Sequence, residues 1–192
     1  MKKIIYVTLI GLLVINSSVL LAVYYNQDFS SEFSFSENIK LSDVNYDYSG
    51  DYISSVSGKV GTLILENNGY FTQNYNPSII IGCINLKEGS QTKLPREEVA
   101  VHLKEDSQFR IPSKIEIGVG DKKTIDILAT YTPYSSKISL IELEENVAGL
   151  SLYILNEKER NPFGYSYYSS SSSSCSNLRI NENPVKIVSL VS

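Results

Sequence analysis

The residues of this sequence that could carry out chemistry are few and scattered. His102 is the single histidine, and no nucleophile-elbow sequence supplies a serine for a Ser–His–acid arrangement. One histidine and two distant cysteines do not make the three or four clustered ligands of a zinc site. The adjacent acids at 97–98 and 144–145 lie near predicted strand ends, where solvated charge is their ordinary role. The sequence therefore predicts no enzyme, no metal site and no cofactor.

The two cysteines, Cys83 and Cys175, allow one covalent cross-link. In an exported protein such a pair can oxidise, and the bridge would close a long loop. Two separate thiols, one of them buried in the apolar run 79–84, fit the sequence equally well. The alternatives stay open because a sequence does not show whether two cysteines are close enough to bond.

The elements that would position these residues follow an apolar N-terminal segment. Residues 4–25 carry no charge, and Lys2 and Lys3 precede them. As a helix the segment would be roughly 33 Å long, enough to cross a hydrocarbon core of about 30 Å. Basic residues before the segment and acidic residues after it place the N-terminus inside the cell. The sequence predicts a membrane anchor at residues 1–25 and an extracellular C-terminal part.

A cleaved secretory signal is the alternative interpretation of the same segment. Ala22 is a candidate cleavage position, and cleavage there would give a secreted protein. Tyr24 and Tyr25 instead suit the membrane interface, where amphipathic rings lie among the headgroups. Both interpretations place residues 26–192 outside the cytoplasm.

The exported part has the size of one domain and an acidic surface. All 21 acidic residues follow residue 25, against 15 of the 17 basic ones, so its formal net charge is −6. No basic stripe is present, and nucleic acid is therefore not an expected partner. The expected partners are other surface proteins or copies of this chain, with the membrane contacted through residues 4–25.

Short apolar alternations, separated by Gly, Pro, Asn or Asp, fill the exported part. Residues 60–65 read as a strand, with a turn at 66–69 and a return strand at 70–75. Residues 79–86 form a continuous apolar run typical of a central strand. Gly120 and Asp121 form a turn between two predicted strands, at 115–119 and 125–129. Ile115, Ile117 and Val119 would share one apolar face of the first strand, and Ile125, Ile127 and Ala129 one apolar face of the second.

Residues 138–143 and 150–155 predict a further strand pair, and no amphipathic helix is expected after the anchor. The total of about 8–10 short strands favours an all-β fold, an antiparallel sandwich in one domain at 51–192. Residues 26–50 would be a stalk, a first strand or a donor strand. Residues 161–176 predict an exposed Ser-rich loop. Four aromatic residues of that loop form a possible contact surface: Phe163, Tyr165, Tyr167 and Tyr168.

Two stretches of the sequence resemble immunoglobulin-like modules of microbial cell-surface and filament-associated proteins. Residues 61–69 read Gly-Thr-Leu-Ile-Leu-Glu-Asn-Asn-Gly, similar to a strand of those modules that ends in Asn-x-Gly. Residues 109–112 and 114–121, followed by 124–127, look like their strand, Gly-Asp turn and return strand. The layout of a membrane helix plus a sandwich is also similar to accessory subunits of archaeal motility and adhesion filaments. The resemblance implies an immunoglobulin-like fold and a structural or adhesive role.

The leading functional hypothesis is a non-enzymatic, membrane-anchored surface protein that engages other surface proteins. The alternative is a secreted filament subunit that is cleaved near Ala22 and polymerises by donating a strand to its neighbour's sheet. The inserted apolar set would be Phe29, Phe33, Phe35, Ile39 and Leu41. A ligand receptor or an enzyme is a third class, for which the sequence shows no site.

Overall fold

The computed structural model describes residues 14, 15, 17–21, 28–90, 97–104, 114–133, 138–155, 175–181 and 183–191. Within these residues the chain is mostly β. The strands are β1 (Phe29–Phe35), β2 (Asn38–Lys40), β3 (Asn45–Ser49), β4 (Tyr52–Asn67), β5 (Gln73–Tyr75), β6 (Ile79–Leu86), β7 (Glu98–Leu103), β8 (Ile115–Ile117), β9 (Lys122–Tyr131), β10 (Val147–Leu155) and β11 (Lys186–Val191). The described residues after position 27 also contain a 3₁₀ turn (Leu41–Asp43) and two helices, α1 (Leu140–Asn146) and α2 (Cys175–Asn181).

Nine of the strands form one sheet. Its order is β1-β4-β9-β7-β6-β10-β11-β2, with β3 paired to β4, and β5 and β8 form a separate two-stranded sheet. The pairs β3–β4, β6–β7, β7–β9, β6–β10 and β10–β11 are antiparallel, whereas β2 runs parallel to β11. The prediction of a central strand at 79–86 is confirmed, because β6 lies between β7 and β10.

The chain divides into two compact units. One contains residues 1–32, 64–75 and 115–124, and the other contains residues 33–63, 76–114 and 125–192. In the larger unit the strand order begins with the end of β1 and finishes with β2. Only two residues separate these strands in the chain. The sheet of this unit is therefore curled, since two strands that are almost consecutive in the chain lie at opposite ends of its strand order.

The core of the larger unit follows the two-residue period of its strands. Along β9, Ile125, Ile127, Ala129 and Tyr131 are buried, while the residues between them are partly exposed. This alternation confirms the predicted apolar face of β9, because successive strand residues point to opposite sides of a sheet. The core of this unit also contains Val60, Leu63, Leu152 and Val188, each fully buried.

The predicted strand at 138–143 is wrong, and two short helices occur after the N-terminal segment, where the sequence predicts no amphipathic helix. Residues 140–146 form α1, which begins with a capping box at Ser139. The Ser139 hydroxyl accepts from the Glu142 nitrogen at 3.2 Å, and the Glu142 carboxylate accepts from the Ser139 nitrogen at 2.9 Å. These reciprocal bonds satisfy main-chain donors that the first helical turn leaves unpaired. The second helix, α2, follows the Ser-rich stretch.

The predicted hairpin at 60–75 is also wrong. β4 continues to Asn67, and the following strand, β5, pairs with β8 rather than with β4. The predicted turn at 120–121 has the expected chemistry, because Gly120 has a positive φ of 75°, a conformation that glycine adopts without steric cost. Val119, predicted to share the buried face of Ile115 and Ile117, is instead 56% exposed.

The predicted membrane segment lies mostly outside the described residues. Residues 14, 15 and 17–21 are helical. Among the helices in the described part of the chain, none is long and apolar enough to span a membrane.

Candidate functional site

The smaller unit is organised around one fully buried amide side chain. Asn67, the last residue of β4, has no exposed surface. Its Nδ2 lies 2.9 Å from the Phe71 oxygen, 3.1 Å from the Ile117 oxygen and 3.1 Å from the Gly118 oxygen. Its Oδ1 accepts from the Gly69 nitrogen at 3.1 Å. The Asn67 side chain therefore joins the loop after β4 to the end of β8.

Main-chain hydrogen bonds strengthen the same junction. The Asn67 nitrogen donates to the Asp121 oxygen at 3.0 Å, and the Gly120 nitrogen donates to the Asn67 oxygen at 2.7 Å. The Asp121 carboxylate accepts from the Gly118 nitrogen at 3.0 Å and closes the turn. The Asn68 nitrogen donates to the Asp28 oxygen at 2.7 Å, which brings the start of β1 to the same place.

These two braced loops carry three large apolar side chains into solvent. Tyr70 is 67% exposed, Phe71 is 44% exposed and Val119 is 56% exposed. We call Tyr70, Phe71 and Val119 the apolar tip. Since Asn67 binds the carbonyls of both Phe71 and Gly118, the two loops are adjacent and their backbones are fixed. An exposed apolar group on a fixed backbone loses little conformational freedom when it binds another surface.

Charged residues flank the apolar tip on β4 and β9. The Lys122 ammonium lies 3.2 Å from the Glu66 carboxylate, and Asn68 donates a hydrogen bond to the same carboxylate at 3.1 Å. The hydrogen bond from Asn68, followed by the contacts with Lys122, lowers the pKa of Glu66. Glu66 therefore remains ionised at neutral pH, and the surroundings of the tip are polar.

The two cysteines meet in the larger unit. Cys83 on β6 and Cys175 at the start of α2 form a disulfide with their Cα atoms 5.6 Å apart. Cys83 is fully buried and Cys175 is 4% exposed, and they pack with Tyr153 and Leu178. The bridge attaches α2 to the sheet and closes a loop with a sequence separation of 92.

Arg179 forms a second attachment of α2 to the sheet. Its Nη1 lies 2.6 Å from a Glu97 carboxylate oxygen, and its Nη2 donates to the Ile84 main-chain oxygen. Glu97, one of the adjacent acids considered as possible chemistry, therefore pairs with a cation of α2.

A small apolar pocket of about 60 Å³, partly open to solvent, lies against the curled sheet of the larger unit. Its lining comprises Ile39, Val44, Val56, Gly58, Ile84, Val99, Ala129, Tyr131, Leu143, Val147, Leu150 and Leu190. Burial raises the pKa of Tyr131 to about 12, and its buried hydroxyl has no hydrogen-bond partner within the described ranges. The volume is far below the roughly 300–1,000 Å³ of a typical small-molecule site.

The residues of the predicted donor strand lie in the chain's own strands and turn. Phe29, Phe33 and Phe35 belong to β1, beside β4, and Ile39 belongs to β2, beside β11. Leu41 starts the 3₁₀ turn. Phe33 and Phe35 stack with ring centroids 5.8 Å apart. Ile39 is the buried residue of β2, at 6% exposure.

The remaining predicted groups are separate from the apolar tip or undescribed. His102 is half-buried within β7. The predicted contact loop, with Phe163, Tyr165, Tyr167 and Tyr168, lies outside the described residues. No group of three or more potential metal ligands occurs in the part of the chain that the structure describes.

Sequence reasoning missed Asn67 and the apolar tip. The motif Asn67-Asn68-Gly69 is the local signal, and by itself it predicts a tight turn. The partners of Asn67 at Ile117 and Gly118 are 50 and 51 residues away in sequence, so no local pattern indicates its burial.

Comparisons with known proteins give no family for this chain. No protein-family model, no curated protein and no solved structure matches the chain.

Proposed function

We propose that this chain is a non-enzymatic, extracytoplasmic protein that an N-terminal helix anchors in the membrane. Its β-rich part would have a structural or adhesive role, engaging other surface proteins or copies of itself. One observation carries the proposal. The helical residues Val14, Ile15, Val19, Leu20 and Leu21 are all between 56% and 63% exposed.

The arrangement of these side chains favours lipid as their surroundings. Successive residues of an α-helix are about 100° apart, so residues 19–21 alone cover roughly 200° of the helix surface. A helix that is apolar on several sides is stable when protein or lipid surrounds it. Water contact at so many large apolar side chains is unfavourable by roughly 25 cal/mol per Å², and a bilayer removes that cost.

The disulfide gives independent support for export. Disulfides persist in oxidising compartments and are rare in the reducing cytosol. The bond between Cys83 and Cys175 is buried, which is typical of a structural bridge rather than of a reactive thiol pair.

The immunoglobulin-like assignment is part of the same proposal. Its support is that residues 64–69 of the first stretch and residues 115–121 of the second adjoin each other in the smaller unit. Asn67 of the first stretch exchanges main-chain hydrogen bonds with Gly120 and Asp121 of the second. An experimental structure with two facing antiparallel sheets would support the assignment, and one with a single curled sheet throughout would reject it.

The proposal is tested by fractionating cells that produce the full chain. We expect the protein in the membrane fraction, resistant to extraction with alkaline carbonate, and with an intact Met1 by N-terminal sequencing. External protease should digest the β-rich part in intact cells. Recovery of the full chain in the soluble cytosolic fraction, with reduced cysteines, would refute the anchor and the export together.

A filament subunit assembled by strand exchange is the second candidate function. The observation in its favour is that β2 is only three residues long and pairs in parallel with β11. Parallel pairing is slightly less stable per residue than antiparallel pairing. A short strand of this kind is easier to replace by the same segment of another copy.

An engineered cysteine pair separates the two candidates. Asn38 on β2 and Ser189 on β11 are exposed register partners, so the double variant Asn38→Cys/Ser189→Cys can form a disulfide there. A covalent monomer at every protein concentration would exclude the filament version. Disulfide-linked ladders that grow with concentration would favour it over the anchored version.

A further inference from the structure

We propose that the apolar tip inserts into the lipid–water boundary of the membrane, beside the point where the anchor leaves it. This inference rests on the proposed anchor and adds a second membrane contact to it. Tyr70, Phe71 and Val119 would lie among the headgroups and the first acyl carbons. The exported part would then stand on the bilayer in a fixed orientation.

The length of the connecting chain places the apolar tip near the membrane. The apolar segment ends at residue 25, and Asp28 is three residues further along the chain. Three residues span at most about 11 Å, at 3.3–3.6 Å per residue. The Asp28 oxygen accepts directly from the Asn68 nitrogen at 2.7 Å. Asn68 therefore lies close to the membrane surface whenever the anchor is inserted.

From Asn68 the distance to the apolar tip is short. The preceding residue, Asn67, binds the Phe71 oxygen at 2.9 Å and the Gly118 oxygen at 3.1 Å. Tyr70 precedes Phe71, and Val119 follows Gly118. Each residue of the tip is thus at most one position from a backbone group that binds the junction next to Asp28. Asp28, Asn68 and the apolar tip all belong to the same compact unit.

The chemistry of the tip fits the boundary region of a bilayer. Tyrosine is enriched at membrane interfaces, because its ring is apolar and its hydroxyl remains in contact with water. Phe71 and Val119 add apolar area without a polar group that would need a partner. Asp28 and Asp121 lie beside the tip, and the formal charge of the exported part is negative. The contact would therefore depend on apolar insertion rather than on attraction between charges. It would be insensitive to salt, because salt screens interactions between exposed charges.

A single-tryptophan reporter tests the inference in the full chain. The sequence contains no tryptophan, so Phe71→Trp introduces one fluorophore at a position that is already 44% exposed. The matched control is Tyr48→Trp on β3, where the native side chain is 53% exposed. Each variant is reconstituted into phosphatidylcholine vesicles with and without brominated acyl chains. Alkaline carbonate extraction of the same vesicles reports whether the anchor is inserted.

We expect the emission of the Phe71→Trp variant to be blue-shifted and strongly quenched by brominated lipid, in low and in high salt. Emission of the Tyr48→Trp control should be that of a solvated indole and should not be quenched. If the first variant does not fold by circular dichroism, Val119→Trp replaces it with the same expected result. The further substitution Tyr70→Asp should remove most of the quenching of the tryptophan at position 71.

The two ways of failing give different results. An inserted, carbonate-resistant protein whose tryptophan at 71 or 119 is no more quenched than the control would overturn the membrane contact of the tip and leave the anchor intact. A protein that carbonate extracts would overturn the anchor, and the tip contact with it. A blue shift that depends on protein concentration and not on lipid would also overturn the inference, because it would assign the tip to a contact between copies.

Discussion

Replacing the buried amide of Asn67 should destabilise the smaller unit strongly. The amide nitrogen has two hydrogens, which are shared among the carbonyls of Phe71, Ile117 and Gly118, and the amide oxygen accepts one bond from Gly69. Asn67→Ala thus removes the equivalent of about three hydrogen bonds at a fully buried site. At about 1 kcal/mol for each bond, the expected loss is about 3 kcal/mol, a large part of a typical stability of about 5–15 kcal/mol.

The neighbouring residue provides a matched control. The Asn68 side chain is exposed and donates to the Glu66 carboxylate at 3.1 Å. Asn68→Ala should therefore change the free energy of unfolding by no more than about 0.5 kcal/mol, as exposed substitutions usually do. Urea denaturation measures both variants. Amide hydrogen exchange at Gly69 and Gly120 shows whether the loss is confined to the braced loops, since local opening can occur below the global unfolding energy.

An isosteric variant tests the direction of the hydrogen bonds. In Asn67→Asp, a carboxylate has no hydrogen to donate to the three carbonyls, so the loss at neutral pH should exceed that of Asn67→Ala. Burial and the nearby carbonyls would raise the folded-state pKa of the new carboxyl group above its unfolded value. Stability relative to the native chain should therefore recover as the pH falls and decline as it rises. Equal losses for the variants at 67 and 68, or a pH trend of the opposite sign, would refute the assigned bonds.

Three other perturbations give distinct expected outcomes. Replacing Cys83 and Cys175 together by alanine should lower the free energy of unfolding by about 4–5 kcal/mol, because the unfolded chain gains the entropy of a loop whose ends are 92 positions apart in sequence. A loss below about 1 kcal/mol in urea denaturation would contradict this. Ser139→Ala should cost about 1 kcal/mol through loss of the α1 cap, measured as a lower urea midpoint, whereas no change would show that the cap contributes nothing. Because the pKa of Tyr131 is raised from 10.0 to about 12, the native chain should lose up to roughly 2 kcal/mol between pH 10 and 12. Tyr131→Phe should be at least as stable at pH 7 and should lack that part of the alkaline loss, and identical alkaline curves would count against the burial effect.

Local patterns predicted two of the inner strands of the main sheet, β9 and β6. In β9 the apolar residues at 125, 127 and 129 alternate with polar ones, and the structure buries that face. The continuous run at 79–86 indicated a strand with neighbours on both sides, and β6 has them. Such patterns are informative because side-chain direction in a strand depends only on local geometry.

The start of the helix α1 carries a local signal that competes with the apolar pattern. The apolar residues predict a strand over 138–143, whereas the Ser139–Glu142 spacing is that of a capping box. The structure forms both reciprocal bonds of that motif. For a short apolar run, the cap is thus a better guide than apolar content, since strands and buried helical segments share that content.

The sequence by itself determined the apolar character of the N-terminal segment and the two-residue period of the main strands. These are properties of residue type and of neighbours along the chain. Only the tertiary structure decided that Cys83 reaches Cys175, that Asn67 is buried and that Tyr70 and Val119 lie on adjacent loops. Each of these contacts joins residues about 50 or more positions apart, and the free energy that selects them comes from the packing and hydrogen bonding of the whole fold, which must exceed the entropy of closing such loops.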